Sequence, residues 1–251
     1  MPTTYLLGQG KVYIAKRDAF GNPKALRWLG DVSAAKLALK VTNAEQKESY
    51  SGQRGTVKRV QVGKEATIEL TMMEINTDNL ALNVSGVVTN TPSGSVTGEA
   101  LPVVVAGNRV AFKNPGVTSV VITDSASTPV TLATTKYKVD PAFGAVDFKD
   151  VTGATQPFLA AYSHGAVDSV AMFNAQQEDD FLRYEGINLA ENGAPIIVEL
   201  YKVNSEPLKE LALITDKFAE MQITAAVLID GAKTPSDELG QFGRILQIAA
   251  S

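Results

Sequence analysis

Residues 62–75 read VGKEATIELTMMEI, and this stretch decides the fold. Ala66, Ile68, Leu70 and Met72 share one parity; Glu65, Thr67, Glu69 and Thr71 share the other. Successive side chains of a β-strand point to opposite faces, so the pattern describes a half-buried strand. Residues 32–42, VSAAKLALKVT, repeat it, with Leu37, Leu39 and Val41 on one face and Lys36, Ala38 and Lys40 on the other. Paired as a hairpin, the two stretches match apolar face to apolar face. They also bring Lys36 and Lys40 beside Glu65 and Glu69. Opposite charges facing each other across strands stabilise a sheet modestly. The connection, 43–61, reads as a long charged loop with Gly52 and Gly55 at its middle; loops of that length are functional or disordered.

Outward from this pair, the chain is mostly strand. Residues 10–16, 181–190, 195–203 and 218–230 read as further strands, the last alternating Met221, Ile223, Ala225, Val227 and Ile229 against Glu220, Gln222 and Thr224. The one helix expected is 77–85, with Asn76 or Thr77 as its cap, Asp78 in its first turn and Gly86 as its stop. Residues 90–98, NTPSGSVTG, are turn-forming and mark a boundary. Short strands follow to about 168, including a strand–turn–strand over Tyr137–Phe148. The fold class is therefore mainly β: two packed antiparallel sheets, sandwich or half-barrel, with one flanking α-helix and an inserted β-subdomain. Residues 1–90 and 169–251 form the discontinuous core, and 91–168 the insertion.

Composition narrows the chemistry. The chain has 251 residues, enough for one large or two small domains. It has no Cys and one His, which excludes disulfides, zinc–thiolate sites, a cysteine nucleophile and paired-His metal sites. Gly8-Gln-Gly10 lacks the third glycine of a dinucleotide loop, and Val62-Gly63-Lys64 lacks the upstream glycine of a phosphate loop. Glu178, Asp179 and Asp180 are consecutive and point apart, a poor cation site. His164 has no ordered nucleophile or acid beside it, and Trp28 and the tyrosines are scattered. No cofactor and no enzymatic activity are expected. No apolar run approaches the roughly 20 residues of a membrane span, and 1–10 do not read as a leader.

Net charge is −4, but it is unevenly distributed. Residues 1–89 carry 12 basic and 8 acidic side chains, 90–168 carry 5 and 6, and 169–251 carry 6 and 13. Two surfaces of opposite sign can meet within a subunit or between copies.

An ordered series of segments carries a family resemblance: Leu29-Gly-Asp-Val32, Lys47-Glu-Ser-Tyr-Ser-Gly-Gln-Arg54, Gly63-Lys-Glu-Ala-Thr-Ile-Glu-Leu70, Asn79-Leu-Ala-Leu82, Phe181-Leu-Arg-Tyr-Glu-Gly186, Leu200-Tyr-Lys-Val203, Glu210-Leu-Ala-Leu-Ile214, Ala226-Val-Leu-Ile-Asp230 and Gly240-Gln-Phe-Gly243. Together they resemble the major tail tube protein of long-tailed, non-contractile bacteriophages. The resemblance implies a structural virion protein, made in the host cytoplasm and placed in the tail. Six copies would form a ring whose inner sheets join into one β-barrel. Rings would stack around a tape-measure protein, between a tail terminator and tail-tip proteins, and double-stranded DNA would pass through. With four strands per copy, about 24 strands at roughly 4.8 Å spacing and about 40° tilt give a backbone diameter near 48 Å. Inward side chains leave about 38 Å, enough for a duplex roughly 20 Å wide. Lys36, Lys40, Glu65, Thr67, Glu69, Glu220, Gln222 and Thr224 would then line the lumen. Lys47, Glu48, Arg54, Lys58 and Arg59 would act between rings, and 91–168 would decorate the outside. Two other readings stand beside it: a non-polymerising carbohydrate-binding β-sandwich, and a hydrolase with a carboxylate pair.

Overall fold

The computed structural model describes residues 5–236 and 239–248. In chain order the strands are β1 (Gly8–Lys16), β2 (Arg27–Trp28), β3 (Val32–Lys47), β4 (Thr56–Met72), β5 (Val87–Thr91), β6 (Gly94–Ala100), β7 (Arg109–Ala111) and β8 (Val117–Thr123). They continue with β9 (Tyr137–Asp140), β10 (Ala145–Phe148), β11 (Leu159–His164), β12 (Val167–Ala171), β13 (Asp180–Asn188), β14 (Ala194–Ser205), β15 (Met221–Val227) and β16 (Gly243–Gln247). One α-helix, α1 (Thr77–Asn83), is present among the described residues. The protein is mainly β and divides into two compact units, Met1–Val87 with Val170–Ser251, and Val88–Ser169.

The first unit is a single eight-stranded antiparallel sheet in the order β2-β1-β13-β14-β15-β4-β3, with β16 on the remaining edge of β14. One core cluster draws Val12 and Ile14 from β1, Leu182 from β13, Leu200 and Val203 from β14, all four inward residues of β15, and Ala66 to Met72 from β4. Strands at opposite ends of the sheet share that cluster, so the sheet folds over on itself and packs as a sandwich. Alternation is what makes this possible: Leu70 lies opposite Ile223 and Ile68 opposite Ala225, with every second residue turned inward.

Helix α1 starts where its cap dictates. The Asn76 side chain accepts from the Asn79 N–H at 2.8 Å, and Asp78 sits in the first turn against the helix dipole. It ends with Ser85 in the left-handed region and the Gly86 N–H donating to the Ala81 carbonyl at 2.7 Å. The left-handed residue is therefore Ser85 rather than Gly86. Gly86 is needed for clearance instead: a Cβ there would meet Val170 at 2.6 Å.

The second unit holds two three-stranded sheets, β7-β10-β9 and β6-β11-β8. Its own core contains Phe112, Val117, Ile122, Tyr137, Val146, Phe148, Phe158 and Tyr162. Phe148 stacks on Phe158 at 5.2 Å and Phe112 on Tyr162 at 5.0 Å. The Pro141–Gly144 turn joins β9 to β10, with Gly144 at φ +56° pressed against Asn114 and Pro115. The chain passes between the units along β5 and β12, which pair with each other.

Three sequence expectations are corrected. Residues 43–61 are not a loop: β3 and β4 stay paired to Lys47↔Thr56, and only 48–55 lie outside the strands. That outer stretch is exposed on both faces, so it lacks the alternation that marks a half-buried strand. Cross-strand partners hold it together, such as Glu45 opposite Arg59 at 3.5 Å, and the Glu48 N–H closes the tip on the Gly55 carbonyl at 2.9 Å. Residues 90–98 are not all turn, because they contain the end of β5 and the start of β6. The 218–230 strand is shorter, Met221–Val227, which leaves Glu220 outside it.

Candidate functional site

Strands β3, β4 and β15 carry a continuous polar face on the side opposite the core. Register sets its layout: Lys36 lies opposite Glu69, which in turn lies opposite Thr224. Ala38 faces Thr67, Lys40 faces Glu65, and Thr71 faces Gln222. Lys40 Nζ reaches Glu65 at 2.9 Å. Lys36, Lys40, Glu65, Glu69 and Gln222 are exposed and Thr67 and Thr224 half-buried, so no other described residue of the unit covers this face. Its two lysines and two glutamates balance. Glu220 is exposed one residue before β15 and stands at the margin of the patch.

The hairpin continues past this patch as an arm. On the core-side face Leu37 and Ile68 still pack inward, but Leu39, two residues further on, is 76% exposed. Val41, Val57, Val60 and Val62 are exposed as well. A register shift between Thr42 and Asn43 marks the beginning of the outer stretch. Lys58 and Arg59 sit on β4; Lys47 ends β3; Glu48 and Arg54 belong to the tip, where Arg54 adopts φ +51°. Strand β3 is also the edge of the sheet, so a 16-residue strand presents an unpaired row of backbone groups. Long, partly apolar edges of this kind are templates for pairing with another chain.

The carboxylate run 178–180 is divided between two lysines. Asp180 meets Lys16 at 3.0 Å, Glu178 meets the same lysine at 3.3 Å, and Asp179 meets Lys202 at 3.1 Å. Burial pushes the Asp180 carboxyl up, with Lys16 opposing. Asp179 is held below the usual carboxylate range: burial works against this, and the Asn204 amide and Lys202 outweigh it. No group of three or more His, Asp or Glu suited to a metal occurs among the described residues. His164 is half-buried, with Nδ1 2.9 Å from the Gly165 carbonyl oxygen. No helix among the described residues is long and apolar enough to cross a membrane.

Two structural elements were invisible to the periodicity argument. Asn79, fully buried, donates to the carbonyls of Leu29 (2.7 Å) and Glu74 (3.0 Å) and accepts from Arg27 (2.7 Å), which ties α1 to the root of β3. Glu199, buried on β14, binds Arg183 of β13 and Arg244 of β16, locking three strands on the sheet's outer face. Burying a polar group is costly unless it is partnered, and these two are. A lone Asn or Glu in sequence gives no sign of it.

These features define a two-unit, mainly β protein with an exposed, charge-balanced sheet face and a protruding hairpin. The chain belongs to the family described as protein of unknown function UCP028589, whose model matches residues 5–246. No curated protein matches its sequence.

Proposed function

We propose that this chain is the building block of a hollow tube, a phage tail tube protein in which six copies form a ring and rings stack. The observation that carries the reading is the charge-balanced, uncovered face of β3, β4 and β15 in a sheet left open at β3. Closing such sheets into a barrel removes their edges and turns one face of every strand inward. Strands β14, β15, β4 and β3 are consecutive, which supplies the four strands per copy that a 24-stranded ring of about 48 Å needs.

The charges suit a conduit. Each cation left free in the lumen adds a phosphate contact and retards DNA. Lys40 paired with Glu65, and Lys36 opposite Glu69, leave no excess positive charge to hold it. In this reading the lumen residues are Lys36, Lys40, Glu65, Thr67, Glu69, Glu220, Gln222 and Thr224. The arm, with Lys47, Glu48, Arg54, Lys58 and Arg59, reaches the next ring. The 88–169 unit lies outside the tube, since a lumen sized for a duplex has no room for it. Tape-measure, terminator and tip proteins would be its partners in the virion, and it would catalyse nothing. The exposed aromatics Tyr5, Phe20, Trp28, Tyr50, Phe143, Phe173 and Phe218 are scattered along the sequence, which gives no support to a glycan platform.

Negative-stain microscopy of the purified protein tests the proposal. Hollow rings or tubes with a lumen near 38 Å are expected. Dispersed particles at every concentration and ionic strength tried would overturn it.

A further inference from the structure

We propose that the tip of the hairpin arm docks on the 206–220 segment of a second copy, so that copies add end to end. This rests on the tube reading and names the surface that receives the arm.

The segment leaves β14 at Ser205 and enters β15 at Met221. Its beginning is anchored. The Glu206 N–H donates to the Thr224 carbonyl at 2.9 Å and the Leu208 N–H to the Asn83 carbonyl at 2.6 Å, while Leu208 and Leu211 pack on the core. Beyond that anchor Leu213, Ile214 and Phe218 are 86%, 96% and 91% exposed. Three nearly bare large apolar side chains within six residues form a patch that asks for a cover.

Charge selects the cover. Residues 206–220 carry four acids (Glu206, Glu210, Asp216, Glu220) and two lysines, a balance of −2. Residues 45–59 of the arm carry four cations (Lys47, Arg54, Lys58, Arg59) and two acids (Glu45, Glu48), a balance of +2, with Arg59 facing Glu45 in its own chain. Tyr50 at the tip is 86% exposed and offers the aromatic anchor that apolar patches favour. Complementary charge sets partner and register, and apolar contact supplies the affinity.

Geometry forbids the contact within one chain. Met221 pairs with Met72, at the root of the hairpin, whereas the tip lies beyond Thr56 at the far end of the same 17-residue strand. At about 3.3 Å per residue, roughly 50 Å of paired strand separates the two. Donor and receiver thus occupy opposite ends of one strand pair, and displacing a second copy along the strand axis brings them together. The contact is heterologous: each copy keeps one free tip and one free receiver, so growth continues in one direction.

The chain contains no Cys, so introduced thiols report only on the designed contact. Full-length Ser51→Cys and Thr215→Cys chains, which keep Tyr50 and Ile214, are mixed, assembled and oxidised with copper–phenanthroline, and the products separated on a denaturing gel. The mixture should yield covalent dimers about tenfold or more above a Ser51→Cys plus Phe20→Cys control, because a docked pair holds its thiols at high effective concentration. A chain bearing both Ser51→Cys and Thr215→Cys should give a ladder of multimers. Separately, Ile214→Ser/Phe218→Ser should melt like wild type and fail to assemble. Tubes that form normally without cross-links above control, or from the Ile214→Ser/Phe218→Ser chain, overturn the receiver segment and leave the tube reading standing. Wild-type protein that never assembles overturns both.

Discussion

Replacing Ile68 by alanine and, separately, Leu39 by alanine divides the hairpin into a packed root and an unpacked arm. Both side chains lie on the core-side face of the same strand pair. Ile68 is 6% exposed, opposite Leu37 on one side and Ala225 on the other. Leu39 is 76% exposed. Ile68→Ala removes three carbons at about 0.8 kcal/mol each, roughly 2.4 kcal/mol, and the unfilled cavity raises the cost to about 3–4 kcal/mol. For a unit of this size that lowers the melting temperature by about 6–16 °C. Leu39→Ala has almost no buried area to lose, so its cost to the monomer stays within about 0.5 kcal/mol. Scanning calorimetry and urea titration of the monomer read both values, and sedimentation of assembled material reads the second consequence. Leu39→Ala should reduce assembly with the monomer unchanged, because the proposed tube buries the arm between copies. A Leu39→Ala monomer destabilised as much as Ile68→Ala would refute the reasoning, since the arm would then be packed within its own chain.

Asn79→Ala deprives the Leu29 and Glu74 carbonyls of their donor and leaves Arg27 unpaired; urea denaturation should show a loss of about 2–4 kcal/mol, and a loss below about 1 would mean the staple is dispensable. In the second unit, Val130 and Thr155 N–H groups hold the Asp124 carboxyl below its ordinary value, Arg109 does the same for Asp140, and Thr152 with Lys136 brings Asp150 down to about 2. Lowered folded-state values place this stabilisation above the unfolded carboxylate range near pH 4; it is lost as pH falls toward 2. Amide protection in 88–169, the exchange rate taken relative to that of an unstructured chain at the same pH, should therefore fall over that interval, and protection unchanged between pH 5 and pH 2 would contradict the assignment. Glu65→Gln/Glu69→Gln frees Lys36 and Lys40; assembled tubes of this variant should retain duplex DNA at low salt and release it as salt rises, and retention no greater than wild type would remove those residues from the lumen. Lys58→Glu/Arg59→Glu should assemble poorly while melting like wild type, and normal tubes would exclude these side chains from the ring-to-ring contact.

The sheet was legible where one face is buried and the other wet. Residues 32–42 and 62–72 announce themselves by alternation, and the charges on their outer face bring Lys36 and Lys40 beside Glu65 and Glu69; the structure sets the register, Lys36 opposite Glu69 and Lys40 opposite Glu65. The strand–turn–strand of 137–148 is equally plain, because Pro141 and Gly144 punctuate it. Along the arm, exposure on both sides erases the period-two signal, although the strand pairing itself continues to Lys47↔Thr56. Glu220 was placed on a strand that begins one residue later, the usual cost of reading boundaries from pattern. The folding-over of one continuous sheet in place of two separate ones was not legible either. Which strands share hydrogen bonds at a corner depends on long-range pairing, here β14 turning from β16 at Ile196–Leu200 to β15 at Val203–Ser205.

Electron cryomicroscopy of the purified, assembled protein tests the central claim most directly. The account predicts a hollow tube whose wall turns the Lys36–Glu69–Thr224 face of β3, β4 and β15 toward the lumen, with the hairpin arms crossing from ring to ring. A map with that face on the exterior or packed against another sheet, or a sample of monomers under every assembly condition, would contradict it.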